Sequence, residues 1–170
     1  MENEIIFSET QRFKQWWIWL LLVGINALSI YGVFHQVIGG QPFGDKPMSN
    51  SALMIMTGTI LLVTAIFSML KLETQIKQDG IYVRFFPFHL KFKYFNWNVI
   101  SNYYVRQYKP IKEYGGWGIR YGFFGKGKAL NISGKDGLQL EFFDGKKLLI
   151  GTQRAKELEK LLPKKKERQK

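Results

Sequence analysis

The chain has 170 residues, which gives room for one modest domain and additional segments. With 25 basic and 13 acidic side chains its formal net charge is +12, and residues 71–170 carry all of the positive excess. Such an excess favours an anionic partner, either nucleic acid or a lipid surface. The chain has no cysteine, which excludes disulfides, thiolate metal sites and cysteine nucleophiles.

Residues 1–14 are predicted to form a cytoplasmic N-terminal segment. Its apolar residues, Ile5, Ile6, Phe7 and Phe13, stand among polar ones, which fits a short amphipathic element lying on a membrane interface. A frayed tail is the alternative interpretation of the same residues.

Residues 15–70 are predicted to form a hairpin of two transmembrane helices, with spans at about residues 16–38 and 51–70. Charged residues are absent from both spans, and about 20 predominantly apolar residues suffice to cross the hydrocarbon core. Three tryptophans at positions 16, 17 and 19 suit the membrane interface, where the indole N–H stays hydrated. A cleaved signal peptide is the alternative, but the acidic N-terminus and the long apolar core argue against it.

The distribution of basic residues predicts how the hairpin is oriented in the cell membrane. Arg12 and Lys14 precede the first span, Lys71 and Lys77 follow the second, and Lys46 alone lies in the connecting loop. By the positive-inside rule both termini are therefore expected in the cytoplasm.

Small and weakly polar residues recur at helical spacing in both spans, and we expect them to pack the two helices against each other. Because no charged residue lies within either span, a path for protons or ions is disfavoured. The packing residues are Asn26, Ser29 and Gly32 in the first span, and Thr57, Thr64 and Ser68 in the second.

Residues 71–162 are predicted to form a mainly-β domain with one C-terminal helix. The Asp-Gly pairs at 79–80 and 144–145 are typical of hairpin turns. Ala155, Leu158 and Leu161 form the apolar stripe of a helix that Pro163 ends. The predicted strands are 72–77, 81–86, around 90–94, 99–108, 115–121, 128–132, 137–143 and 146–150.

Seven or eight short strands followed by one helix is the order of elements in a pleckstrin-homology-like (PH-like) barrel. Residues 81–84 (IYVR) and 97–100 (WNVI) resemble the bacterial PH-like domains that follow paired transmembrane helices. Residues 113–120 (EYGGWGIR) and 150–154 (IGTQR) are similar to those of an uncharacterised group of such membrane proteins. The resemblance covers nearly the whole chain. It implies a membrane α-helical hairpin plus a mainly-β PH-like barrel with one C-terminal helix, and it implies no activity.

The residue types present give no reason to expect a catalytic, metal or cofactor site. His35 and His89 are the only histidines, and neither belongs to a cluster of ligands. Residues 122–128 have the spacing of a phosphate-binding loop, but Ala129 replaces the required Ser or Thr. The aromatic and basic residues of 82–97 could stack on single-stranded nucleic acid, but two membrane spans in the same chain favour a lipid or protein partner. We therefore expect a non-enzymatic protein that does not bind nucleic acid.

A basic and aromatic surface is the predicted binding region. Three glycines surround Trp117, which indicates either a special backbone geometry or a seat for the indole in the core. Residues 163–170 form a basic tail, and each charge near an anionic leaflet contributes about 1 kcal/mol at best. The candidate residues are Trp117, Arg120, Lys126, Lys128, Lys164, Lys165 and Lys166.

The leading hypothesis is an integral membrane protein whose cytoplasmic PH-like domain is a binding platform for membrane lipids, a protein partner or both. The alternative is an accessory subunit or assembly factor of a larger membrane complex, which its transmembrane helices would recognise.

Overall fold

A computed structural model describes residues 4–123 and 125–163. Its described residues divide into two units, which are residues 14–69 and a β domain made of residues 4–13 together with 70–163. In the chain, the helical unit is therefore inserted into the β domain after its first ten described residues.

Two long helices occupy the hairpin region. Helix α1 (Trp16–Val33) continues into a π-helical turn (Phe34–Ile38), and helix α2 covers Asn50–Met69. By length and composition, the stretches Trp16–Ile38 and Asn50–Met69 are each able to cross a membrane. Only 11% of the residues in each apolar window are buried in the structure, so these helices expose their apolar side chains, unlike the core helices of a soluble domain.

Polar contacts between α1 and α2 confirm the predicted packing of the hairpin. The Asn26 amide donates to Thr64 Oγ1 at 2.8 Å, and the Thr57 hydroxyl lies 3.4 Å from the Ser29 carbonyl oxygen. Ser29 and Thr57 are buried in this contact. Ser68 does not take part, because it is exposed and bonds the carbonyl of Ala65 in its own helix.

Sheet I contains four antiparallel strands in the order β1-β2-β3-β4. Strands β2 and β3 form the hairpin predicted from Asp79-Gly80, and β4 begins at Lys93, later than the predicted position near residue 90. Strand β1 pairs with β2 along its whole length, with Arg12 opposite Lys71. The bounds are β1 Ile5–Arg12, β2 Lys71–Lys77, β3 Gly80–Phe86 and β4 Lys93–Asn96.

Strand β1 corrects the prediction of a separate segment over residues 1–14. Its side chains alternate in burial, and Phe7, Glu9 and Gln11 point into the domain. The Glu9 carboxylate accepts hydrogen bonds from Thr152 Oγ1 at 2.6 Å and from the Gln153 amide at 2.8 Å. Local sequence did not reveal this strand, because its partners lie more than 50 residues further along the chain.

Sheet II contains five strands in the order β5-β8-β9-β7-β6, and β7 and β9 run parallel. A short 3₁₀ turn (Trp97–Val99) links the two sheets, helix α3 (Pro110–Tyr114) lies between β5 and β6, and helix α4 (Ala155–Leu161) follows β9. The bounds are β5 Ile100–Gln107, β6 Gly118–Tyr121, β7 Lys128–Asn131, β8 Asp136–Phe142 and β9 Lys147–Thr152.

One apolar core joins sheet I, sheet II and helix α4. Across the sheets, the rings of Phe95 and Phe142 lie 5.3 Å apart. The described strands nevertheless form two separate sheets, and no ladder among them closes the single barrel that the resemblance implied. Buried core side chains include Phe7, Leu72, Val83, Leu130, Leu138, Ile150 and Leu158.

Candidate binding surface of the β domain

The outer face of sheet II is covered by residues 107–117, which include helix α3. Tyr108 and Tyr114 pack edge to face with ring centroids 6.0 Å apart, and they cover Ala129 and Leu149 of the sheet. All four side chains are buried. This second, smaller core fixes α3 against the sheet, so the residues around α3 form a defined surface.

Backbone geometry at the end of α3 accounts for the glycines around Trp117. Gly115 has φ 71° and Gly116 has φ 121°, both in the region that favours glycine. Their amides donate to the carbonyls of Ile111 and Pro110 at 2.9 and 3.0 Å, which ends the helix in a compact C-cap. The sequence predicted a strand from residue 115, but these turns delay β6 until Gly118.

A buried amide holds both ends of the covering segment. The Asn131 side chain donates to the Tyr108 hydroxyl at 3.0 Å and accepts from the Gly118 amide at 2.9 Å. Burial raises the pKa of Tyr108 to about 12, so this phenol keeps its proton to a higher pH than an exposed tyrosine does. Asn131 thereby fixes Tyr108, which precedes α3, and Gly118, which follows Trp117.

An ion pair neutralises the carboxylate of α3. Arg106 Nη2 lies 2.9 Å from Glu113 Oε2, and the Lys109 amide donates to Glu113 Oε1 at 2.8 Å. Partial burial opposes the charged form of Glu113, but these hydrogen bonds outweigh it and lower the pKa of this carboxyl. Glu113 is therefore ionised, and Arg106 compensates its charge.

Beside α3 lies a pocket of about 600 Å³ whose lining is mainly apolar and includes three lysines, Lys109, Lys112 and Lys135, which we call the basic rim. Ile111, which is 66% exposed, belongs to its apolar part. In the part of the chain that the structure describes, no carboxylate forms an ion pair with any of the three lysines of the rim. The lining residues are Gln107, Tyr108, Lys109, Pro110, Ile111, Lys112, Glu113, Trp117 and Lys135.

One of the predicted candidate residues, Trp117, lines this pocket, and a second, Arg120, bonds the backbone of Trp117. Trp117 is half-buried, lines the pocket, and donates from its indole Nε1 to the Gly134 carbonyl at 3.3 Å. Arg120 is exposed and donates from Nε to the Trp117 carbonyl at 3.0 Å. Trp117 is thus neither a core residue nor a fully exposed one, and it contributes to the lining of the pocket.

The other candidate residues lie on the β6–β7 hairpin or outside the described residues. Lys126 Nζ lies 3.9 Å from Glu113 Oε2, near the C-terminal end of α3. Lys128 Nζ lies 5.4 Å from the centroid of the Tyr121 ring, in a cation–π contact. Lys164, Lys165 and Lys166 fall outside the described residues.

Sequence reasoning missed the basic rim formed by Lys109, Lys112 and Lys135. The sequence did contain a signal for this arrangement. A proline at the first position of a helix and a glycine just after its last position are typical helix boundaries, and Pro110 and Gly115 therefore predict a short helix between β5 and β6. A helix there would have placed Lys109 and Lys112 beside Trp117. The contribution of Lys135 depends on tertiary folding and had no local signal.

Comparison of the chain with protein-family models, with curated proteins and with solved structures yields no match. Within residues 4–123 and 125–163, no group of three His, Asp or Glu side chains is arranged to hold a metal ion.

Proposed function

We propose that the protein is a non-enzymatic integral membrane protein whose cytoplasmic β domain binds an acidic, apolar-containing segment of a partner protein. The likeness to bacterial PH-like domains stays a prediction carried by the residue blocks at 81–84, 97–100, 113–120 and 150–154. Two long helices with exposed apolar side chains support the membrane part of the proposal.

Strand pairing supports a topology with both termini on one side. The chain enters the hairpin from β1 and returns from it into β2, and Arg12 and Lys71 are direct neighbours across that ladder. Both ends of the hairpin therefore belong to one folded domain, which can lie on only one side of a bilayer. Arg12, Lys14 and Lys71 on that side, against Lys46 alone in the connecting loop, favour the cytoplasm.

The observation that carries the binding proposal is the pocket beside α3. Concave apolar pockets with a few polar groups at the rim are the usual form of a binding site. An apolar side chain of the partner would contact Ile111, Pro110 and Trp117. Neighbouring carboxylates would then reach the lysines of the rim, whose charges no described carboxylate neutralises. An acidic segment fits this pattern, and it is also attracted by the net positive charge of the chain.

The test measures binding of a labelled peptide, a leucine flanked by glutamates, to the full chain in mild detergent by fluorescence anisotropy. A variant with Lys109→Gln, Lys112→Gln and Lys135→Gln should raise Kd about tenfold, since exposed ion pairs contribute about 0.2–1 kcal/mol each. The matched control replaces the exposed lysines Lys146, Lys156 and Lys160 by glutamine and should bind as the unmodified chain does.

Three results bear directly on the proposal. Equal Kd values for the rim variant and the matched control would refute the assignment of the pocket. Equal binding of a peptide in which lysines replace the glutamates would refute the acidic character of the partner. Exchange of both helices for unrelated apolar helices should leave Kd unchanged, whereas loss of binding would favour an accessory subunit recognised through its helices.

A further inference from the structure

The loop between β3 and β4 presents two large apolar side chains to solvent. Phe88 is 65% exposed and Leu90 is 71% exposed, although the β domain has an apolar core available to it. Lys91 and Lys93, which flank Phe92, are also exposed. Exposed apolar residues beside lysines are typical of segments that contact an anionic membrane surface.

The remaining residues of the loop fix its shape. The His89 amide donates to the Phe85 carbonyl at 2.8 Å, and the Phe85 amide donates to His89 Nδ1 at 3.3 Å. Arg84 Nη1 donates to the Leu90 carbonyl at 3.3 Å, and the Arg84 guanidinium lies 4.5 Å from the Phe92 ring centroid. Phe88 and Leu90 are therefore held outward on a well-defined loop.

Guanidinium contacts also tie this loop to strand β2 of sheet I. Arg84 Nη2 lies 2.6 Å from Glu73 Oε2, and both side chains are largely shielded from solvent. Because Arg84 is fixed on β3 by this ion pair, the loop residues that it contacts are fixed as well.

Strand register gives the position of the loop. Arg12, at the end of β1, is opposite Lys71, at the start of β2, and Lys71 is opposite Phe86, at the end of β3. This edge of sheet I is the place where the chain leaves for α1 after Phe13 and returns from α2 at Leu70. The β3–β4 loop begins directly after Phe86, so it belongs to the same edge.

We propose that the β3–β4 loop inserts into the interfacial layer of the bilayer. Phe88 and Leu90 enter the boundary between headgroups and acyl chains, and Lys91 and Lys93 contact anionic headgroups. This inference rests on the proposed membrane hairpin and assigns a lipid contact separate from the α3 pocket. A bilayer suits the loop better than a protein groove, because the loop lies at the edge where the chain passes to and from the spans, and its lysines match the negative cytoplasmic leaflet.

The absence of cysteine permits a direct test in lipid vesicles. Single variants Leu20→Cys, Phe88→Cys, Leu90→Cys and Val99→Cys receive an environment-sensitive fluorophore and are reconstituted in vesicles that contain brominated phosphatidylcholine and phosphatidylserine. Val99 is the matched control, because it is an exposed apolar residue that follows the opposite end of β4, near the Gly80 edge of sheet I. We expect loss of emission at positions 20, 88 and 90, and full emission at position 99.

Each outcome separates the loop inference from the proposed function. Loss of emission at position 20 without loss at position 90 overturns the loop inference alone, and it assigns the exposed residues to a protein partner instead. Full emission at position 20 overturns the membrane hairpin. Adding Lys91→Gln and Lys93→Gln to the Leu90→Cys variant should partly restore emission in vesicles with phosphatidylserine. Unchanged emission overturns the role of the two lysines.

Discussion

Replacing Phe7 by alanine should destabilise the β domain by about 3–5 kcal/mol, the usual cost of removing a buried phenylalanine ring. Phe7 is 2% exposed and belongs to the core that joins the two sheets. The guanidinium of Arg154 also lies 5.1 Å from its ring centroid, so truncation removes that contact too. This loss of stability would show that β1, which precedes the helices, belongs to the core of the domain formed by the residues after them.

Urea unfolding followed by pulse proteolysis measures this loss in the full chain in mild detergent. For a domain of this size, about 1.5 kcal/mol per molar urea is a reasonable slope, so the midpoint should fall by about 2–3 M. The matched control is Ile5→Ala on the same strand, since Ile5 is 50% exposed and its loss should change the midpoint little. Equal midpoints for the two variants would refute the placement of β1 in the core.

Two further predictions concern charged groups. Glu113→Gln should lower the free energy of unfolding by about 1–3 kcal/mol, because it leaves the partly shielded Arg106 without its carboxylate partner. The control Asp144→Asn should lower it by less than about 0.5 kcal/mol, since the Asp144–Lys146 pair is exposed. Similar urea midpoints for the two variants would contradict this prediction. Partial burial and the charges of Lys93 and Lys128 lower the pKa of His89 in the folded protein below its ordinary value of 6.5. Neutral His89 therefore contributes its full stability above pH 6.5, and this stability is lost as the pH falls through the lowered pKa of the folded state. The urea midpoint should therefore fall as the buffer is taken from about pH 7 to about pH 5, and His89→Gln should weaken that dependence; an identical pH profile in the variant would show that His89 is not responsible.

Local signals predicted the elements whose partners are close in sequence. Asp79-Gly80 and Asp144-Gly145 mark the β2–β3 and β8–β9 hairpins, and the apolar spacing of residues 155–161 marks α4. Each of these features requires only a turn or a repeat that is visible within about ten residues. The two long helices could also be predicted, because uncharged apolar runs of about 20 residues are rare outside membrane-spanning segments.

Elements that depend on distant partners could not be predicted in this way. Strand β1 was interpreted as an amphipathic segment or a tail, since nothing local shows that Glu9 meets Thr152. The alternation of Leu90, Phe92 and Tyr94 suggested a strand, but Arg84 holds the Leu90 carbonyl and the Phe92 ring in a loop. The parallel pairing of β7 with β9 is likewise a tertiary feature without a local pattern.

The arrangement of the candidate surface also depends on distant contacts. Three glycines around Trp117 indicated a special local geometry, and Trp117 is one of the residues that line the pocket beside α3. The lysines of the rim come from two separate places, because Lys109 and Lys112 belong to the N-cap and body of α3 whereas Lys135 lies in the turn before β8. Only folding brings Lys135 beside Lys109 and Lys112, so composition alone could show the positive excess but not its arrangement.

The insertion of the hairpin between β1 and β2 has a consequence for the order of events during synthesis. Strand β1 leaves the ribosome first, but β2 follows only after both helices have been made, and the residues that bond Glu9 follow about 80 residues later still. Throughout that interval β1 has unpaired backbone groups and an unburied Phe7, which makes it a target for other exposed strands. Both helices of the proposed membrane hairpin are therefore synthesised before the β domain can be completed, so any slowing of synthesis between β1 and β9 prolongs the period in which β1 is unpaired.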